Sequence, residues 1–386
     1  MTKSEALLLT PVPPSPHGTG RNLRAWAWLV QLAVTHRVHV LVFGAPAAKL
    51  PEDHPAISIH HIPVRNVRET LWRRRLAKMF PFLIRRGGFG TDWLQIAPGS
   101  EHMAHALDGL KPSLIVVFRF YLHDAARPVL DRFPDARTEM DMDDLESQSR
   151  RSLARAYWRL GRWRAGLHEL ALSAQYAIAE RALVQRYDRL YVAAPEDRLP
   201  LARLSRADVA VFPNRLAPPQ SARSSRPTRL LFVGSLDYPP NELAARWFVE
   251  IAGSLRARLP DLKPTIIGRR PTDAMRRHLA LCKGVDFLED APALSACYGS
   301  ALAVLVPLRA GGGTKFKTIE AFAHRCPVIA TREGVRGLGA EADRHYLHAE
   351  TTAEFIDAVV RLAREPLLGQ RLGDAAQRLW RERFSL

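Results

Sequence analysis

Short apolar runs alternate with segments of helical period along this chain, and the alternation happens twice. Ala6 to Leu9 is the first strand candidate, and Leu23, Trp26, Ala27, Val30, Ala33 and Val34 then recur at helical spacing. RVHVLVFG and ISIHHIPV read as further strands, as do LIVVF (114–118), LYVAA (190–194) and DVAVFPN (208–214). A strand–helix–strand opening of this kind favours a parallel sheet. The Arg/Ala/Leu-rich stretch 145–185 reads as helix. RLAPPQSARSSRPT, residues 215–228, then breaks the texture with Pro, Ser and Arg, as a linker does. After it the alternation restarts: RLLFVG, a helix capped by Asn241 and running through Phe248, PTIIG, GVDFL, ALAVLVPL, a helix at 315–325, and CPVIAT as the last clear strand. Helices at 352–365 and 366–384 finish the chain. The expectation is an α/β protein of two successive domains, 1–214 and 229–386, joined by 215–228.

Lys and Arg number 56 against 39 Asp and Glu, a net charge of +17. That excess calls for an anionic partner: nucleic acid, a lipid surface or phosphorylated small molecules. A compositional preference for Arg is the plainer account of part of it. No nucleic-acid-binding motif is recognisable, so no nucleic acid is expected. Cys282, Cys297 and Cys326 lack metal-ligand spacing and form no disulfide framework, as in a reducing compartment. The N-terminal apolar run is short and broken by prolines, and no stretch reaches the ~18 apolar residues of a membrane span. A cytoplasmic protein is expected, with peripheral contact on the inner face of a membrane. ETLWRRRLAKMFPFLIRRGGF, 69–89, has the composition of an interfacial amphipathic segment for anionic lipid; a helix packed on its own domain would look the same.

The stretch with most chemistry is RAGGGTKFKTIEAFAHRCPVIAT, 309–331. It follows an apolar strand and opens a helix, where open parallel sheets bind ligands. Gly311, Gly312 and Gly313, followed by Thr314, let the backbone approach a ligand and present its N–H groups. Lys315 and Lys317 near a helix N-terminus oppose the dipole, and a bound phosphate removes that cost. Lys317, Glu320, Ala321 and His324 share one helix face, with Phe316, Ile319 and Ala323 on the buried one. A carboxylate in that position suits sugar hydroxyls. Taken alone, the same residues would serve as a flexible loop and an i, i+3 salt bridge on a solvated helix. The spacing is not that of a P-loop.

This stretch resembles the nucleotide-sugar signature of the GT-B glycosyltransferases of family 4, in its bacterial exopolysaccharide-type members. Pro307 ends the strand, GGGTKFK is the glycine-rich basic loop, Glu320-Ala321-Phe322-Ala323 matches E-A-x-A, and Pro327-Val328-Ile329-Ala330-Thr331 matches the closing strand. RLLFVGSLDYPPNELAARWF, VFPNRL, LLLTPVPPSPHGTGRNLRAWAWL and MDMDDLES extend the likeness over most of the chain. The resemblance implies two Rossmann-like domains with parallel sheets facing a central cleft, acceptor on the first and donor on the second. It also implies a last helix that returns across the first domain, a short crossing here because the chain stops at FSL. Glu320 matches the second glutamate of the family's E-x7-E, but Gly312 stands where the first would be.

The implied activity is transfer of a hexose, with retention, from a nucleotide diphosphate sugar to a glycan or lipid-linked acceptor. Lys315 and Lys317 would neutralise the leaving diphosphate and Glu320 would hold the ribose. Gly18, Gly20 and Arg24 of the first loop and helix, Gly234 after RLLFV, and Arg269 after PTIIG would contact the nucleotide sugar. Arg119 and His123, at the end of LIVVF, are further catalytic candidates. Asp141, Asp143 and Asp144 are assigned to acceptor hydroxyls, or to capping the helix that follows, rather than to a metal, because the resemblance is to a fold in which no metal or other cofactor is expected. Two other readings use the same sequence: a nucleotide-sugar epimerase, and a non-catalytic basic protein that binds membranes or nucleic acid.

Overall fold

The computed structural model of the chain describes residues 3–44, 54–62, 64–65, 95–96, 101–219, 223–224, 227–290 and 294–386. The amphipathic segment expected at 69–89 lies outside the described residues, as do 220–222 and 225–226 of the expected linker. The chain forms two compact units, Met1–Gln148 with Ala171–Arg215, and Ser149–Leu170 with Leu216–Leu386. Residues 149–170 therefore group with the second sheet, not with the rest of 1–214.

The first unit opens with β1 (Ser4–Thr10), α1 (Gly20–Thr35), β2 (His36–Phe43) and β3 (Ser58–Ile62). A short antiparallel pair, β4 (Val64–Arg65) and β5 (Gln95–Ile96), precedes α2 (Glu101–Ala106). Then come β6 (Pro112–Phe118), α3 (His123–Arg132), β7 (Arg137–Asp143), α4 (Glu146–Arg159), α5 (Trp163–Leu183), β8 (Arg189–Val192), α6 (Pro195–Ala202) and β9 (Asp208–Val211). Seven strands pair in the order β3-β2-β1-β6-β7-β8-β9, all parallel. β1, β2 and β6 carry near-continuous apolar runs because both faces are covered, whereas β7 (RTEMDMD) intersperses charges. Leu7 and Leu9 of β1 face one hydrophobic cluster with Ile115, Val117 and Met140, while Leu8 faces the other with Trp28, Val116 and Phe118. The buried face of α1 is turned from the expected one: Ala25, Trp28, Leu29 and Leu32 pack inward and Val34 is exposed. The indole of Trp28 sets this rotation, because it donates a 2.6 Å hydrogen bond to buried Asp141.

The second unit contains β10 (Arg229–Ser235), α7 (Pro239–Leu255), β11 (Lys263–Arg269), α8 (Asp273–Leu281), β12 (Asp286–Glu289), α9 (Leu294–Gly299) and β13 (Ala301–Val306). It continues with α10 (Phe316–Ala323), β14 (Val328–Ala330), α11 (Arg332–Val335), β15 (Leu347–His348), α12 (Thr352–Arg364) and α13 (Pro366–Arg383). Its six strands are parallel in the order β12-β11-β10-β13-β14-β15. CPVIAT is thus followed by one more strand, the two-residue β15. α7 starts two residues before Asn241, at Pro239, since Pro at the first helical position loses no hydrogen bond. This frees the Asn241 side chain, which donates to Ser235 O at 2.9 Å and keeps its oxygen for another partner. α13 packs on α10, and the chain end is tied to Leu216 through Phe384 O and the Leu386 N–H.

Candidate functional site

In the second sheet the strand order reverses between β10 and β13, so the carboxyl ends of these neighbours form the topological switch point. Gly234 is the penultimate residue of β10 there, and the 309–315 loop follows β13, the neighbouring strand. A Cβ on Gly234 would stand 2.9 Å from the Lys317 ammonium and 3.0 Å from the Asn241 amide carbon. A side chain there would displace the tip of Lys317, whose Nζ donates to Asn241 Oδ1 at 2.7 Å and lies 4.5 Å from the centre of the Phe232 ring. Burial pushes the Lys317 ammonium down to about 7; Lys315 repels it further and Glu320 opposes the shift. Lys317 has one hydrogen bond for three N–H donors, in the first turn of α10, where an anion is favoured.

Lys315 differs. Its Nζ donates to Gly313 O at 2.8 Å, Gly312 O at 3.1 Å and Glu333 Oε1 at 2.8 Å, so all three donors are engaged. It holds the glycine loop in shape. Gly311 and Gly313 have φ of 143° and 58°, conformations that suit glycine. Thr314 is buried beside them. The Gly311 N–H donates to Ser152 Oγ of α4 at 2.8 Å. Glu333 is oriented by α11, where Thr331 Oγ1 accepts from Gly334 N and Thr318 Oγ1 donates to Gly334 O. Gly312 brings no carboxylate to the loop, but Glu333 does.

Glu320, one turn after Lys317, accepts from the Tyr298 hydroxyl at 2.8 Å. Burial raises its carboxyl above the usual range, against that hydrogen bond and the charges of Lys317 and Arg269. Arg269 ends β11 half-exposed and pairs with Asp290 at 3.0 Å. Of the helix face read from sequence, Ile319 and Ala323 are buried as expected, while Phe316 is only partly buried.

The first unit holds a separate set of charges at the carboxyl end of β7. Arg24 was expected at the nucleotide. It is instead 1 % exposed, with Nε and a terminal nitrogen each 2.7 Å from Asp141 and its other terminal nitrogen on Phe212 O and Asn214 Oδ1, both 2.9 Å. Asp141, with Trp28 also donating to it, is the buried counterion of Arg24. Asp141 and Asp143 lie at the end of β7. Arg119, a catalytic candidate from the sequence, pairs with Asp143 (2.6 Å), Asp144 (3.2 Å) and Glu146 (2.8 Å). Arg119 and Asp143 both have positive φ, 80° and 62°. Asp143 Oδ1 accepts no hydrogen bond among the described residues, and its nearest cation is Arg24 Nε at 3.5 Å. Burial raises Asp143 to about 6, with Asp144 and Asp141 adding to the rise and Arg24 and Arg119 opposing it.

His123, the other catalytic candidate from the sequence, lies buried in the first unit. It is 3 % exposed, its Nδ1 is 2.6 Å from Tyr187 Oη, and burial pushes it down to about 4, so it is neutral at physiological pH. Gly18 (φ 112°) and Gly20 shape the turn into α1, where the Thr19 N–H is capped by Asn22 Oδ1 at 3.1 Å. No group of three or more His, Cys, Asp and Glu side chains placed for a metal occurs among the described residues. No described helix is long and apolar enough to cross a membrane. Asn241 had been read only as a cap, and Glu333, Tyr298 and Ser152 had drawn no functional reading. Each reaches the loop by tertiary approach, with no local spacing to announce it.

Residues 227–365 match the family model described as Glycosyl transferases group 1. No curated protein matches the chain in sequence. Among solved structures, sucrose-phosphate synthase from Thermosynechococcus elongatus is similar at TM-score 0.66 and 15 % identity, covering 99 % of this chain and 95 % of that one. A glycosyltransferase from Rickettsia africae gives 0.65 and 11 %, covering 100 % and 95 %. Anabaena HepE in complex with UDP and glucose gives 0.63 and 13 %, covering 98 % and 95 %. The fold, with parallel sheets of seven and six strands, is that of the GT-B glycosyltransferases.

Proposed function

We propose that this chain is a glycosyltransferase that binds a nucleotide diphosphate sugar on its second unit and transfers the hexose, with retention, to a glycan or lipid-linked acceptor. The observation that carries the reading is Lys317: a cation with two unused N–H donors, enclosed at the switch point against a strand-end glycine. A departing diphosphate would take up those donors together with the first N–H groups of α10, and its charge would be stabilised where water is scarce. Lys315 and Glu333 act one step back, by keeping the glycine loop in the shape that admits the phosphates. Glu320, whose carboxylate is half-satisfied by Tyr298, has an oxygen to accept from ribose hydroxyls. In the first unit Asp143 is the candidate for an acceptor hydroxyl, because Asp141 and Arg24 satisfy each other. The group 1 family match over 227–365 and the UDP-bound relative of the same fold support the donor class.

The test is a thermal-shift and calorimetric screen of UDP, GDP, ADP and their sugars with the parent chain and Lys317→Ala. One nucleotide diphosphate is expected to raise the melting point of the parent, and Lys317→Ala to weaken its binding at least ~100-fold, about 2.7 kcal/mol. Full turnover by Lys317→Ala would overturn the assignment. Incubation with donor alone separates transfer from epimerisation, since only an epimerase returns an isomerised nucleotide sugar.

A further inference from the structure

The hairpin of residues 149–170, formed by α4 and the start of α5, has an inner and an outer side. On the inner side it is fastened to the second unit: Ser152 Oγ accepts from Gly311 N, and Arg162 pairs with buried Glu242 at 2.9 Å. Arg150 is likewise engaged, with Glu169 at 3.1 Å. On the outer side Trp163, Leu167 and Leu170, at the i, i+4, i+7 spacing of one helix face, are 64, 61 and 40 % exposed. The Trp163 ring stacks on Trp158 at 6.1 Å, which ties the two helices together at the hairpin tip. Gly166 makes this possible, because a Cβ there would meet the Trp158 indole nitrogen at 2.2 Å.

Four arginines accompany this apolar face. Arg151, Arg155 and Arg159 are exposed at i, i+4, i+8 on α4, and Arg164 is exposed on α5. None of them makes an ion pair among the described residues, and the segment's one acidic residue, Glu169, is already paired. Arg159 and Arg164 each follow one of the stacked tryptophans in sequence.

We propose that this outer face docks on an anionic lipid surface, with Trp163, Leu167 and Leu170 at the acyl boundary and Arg151, Arg155, Arg159 and Arg164 on headgroup phosphates. Aromatic rings with apolar bodies and polar edges suit that boundary, and Arg stems run along it while their heads stay wet. The other occupants fit less well. A second copy would set the same unpaired arginines against each other. A polynucleotide would answer the arginines and leave Leu167 and Leu170 in water. The inference does not depend on glycosyl transfer, and its test uses no donor.

The test is co-sedimentation of the full chain with vesicles of phosphatidylglycerol and, separately, of phosphatidylcholine. Binding is expected to phosphatidylglycerol only, and to weaken with added salt. A Trp163→Ser/Leu167→Gln/Leu170→Gln variant and an Arg151→Gln/Arg155→Gln/Arg159→Gln variant, with melting points like the parent, should each bind at least ~10-fold more weakly. Brominated phosphatidylglycerol should quench tryptophan emission of the parent, and the conservative Trp163→Phe should lose most of that quench. The proposal is overturned by a parent that ignores phosphatidylglycerol, by variants that bind as the parent does, by an undiminished quench in Trp163→Phe, or by a dimer that the apolar variant breaks.

Discussion

Asp141 and Asp143 stand two positions apart on β7 and are different chemical species. Asp141 is buried and bound on both oxygens by Arg24 and Trp28. Replacing it with Asn leaves the buried Arg24 guanidinium without its counterion, and Asp141→Asn is expected to lose ~3–5 kcal/mol in urea unfolding. Asp143 behaves oppositely. Its folded pKa, raised to about 6, lies above the unfolded value, so folding favours the protonated form. That contribution is fully present below the unfolded pKa and disappears as pH rises through about 6. Asp143→Asn mimics the protonated carboxyl. It is therefore expected to melt at or above the parent, with the advantage growing from pH 5 to pH 8; a loss at pH 8 as large as that of Asp141→Asn would refute this. Lys317 gives a third reading. Its folded pKa, lowered to about 7, means the free protein gains stability as pH rises through 7 toward the ordinary lysine range. Diphosphate binding needs the charged form, so nucleotide affinity should be highest below pH 7 and fall above it, as calorimetry across pH would record. At this scale the sequence was half legible. The glycine loop, Lys317 and Glu320 were visible as a local pattern, but Arg24 was not separable from a ligand-binding arginine. Its partners are 117 and 190 positions away, and no local pattern encodes such distances.

Elements were easier to read, for a physical reason. Central strands such as β1, β2, β6, β10 and β13 are buried on both faces and therefore read as unbroken apolar runs. Three elements escaped that signal: β7 (RTEMDMD) carries charges between its two methionines, β15 has two residues, and α1 is turned with Trp28 hydrogen-bonded to Asp141. Two glycines test how closely the elements approach. Gly234→Ala places a methyl against Lys317 and Asn241 at the end of β10, and should weaken nucleotide diphosphate binding about tenfold, ~1.4 kcal/mol, while the fold stays intact by circular dichroism. Gly373 in α13 faces backbone instead, since a Cβ there would come 2.2 Å from Arg325 O. The backbone yields less readily than a lysine tip, so Gly373→Ala should cost ~1–3 kcal/mol in unfolding, with nucleotide binding unchanged below the transition.

The whole molecule departs most from a linear reading. The linker at 215–228 was placed by composition; the two compact units divide at Gln148/Ser149, Leu170/Ala171 and Arg215/Leu216. Composition gave no sign that 149–170 belongs with the later sheet, because a helical stretch reads the same wherever it docks. A fragment of residues 216–386 would leave Glu242, fully buried, with Arg246 but without Arg162, and Gly311 without Ser152. Its melting point is expected to lie below that of the full chain and to rise when a peptide of residues 149–170 is added. The same interleaving has a consequence in time. Ser152 leaves the ribosome 159 residues ahead of Gly311, which at ~5–20 residues per second is a wait of roughly 8–30 s. Throughout that interval the first sheet can add β8 and β9 while the hairpin has no surface to rest on. The final event in the birth of this protein is thus the capture of an early segment by a late one.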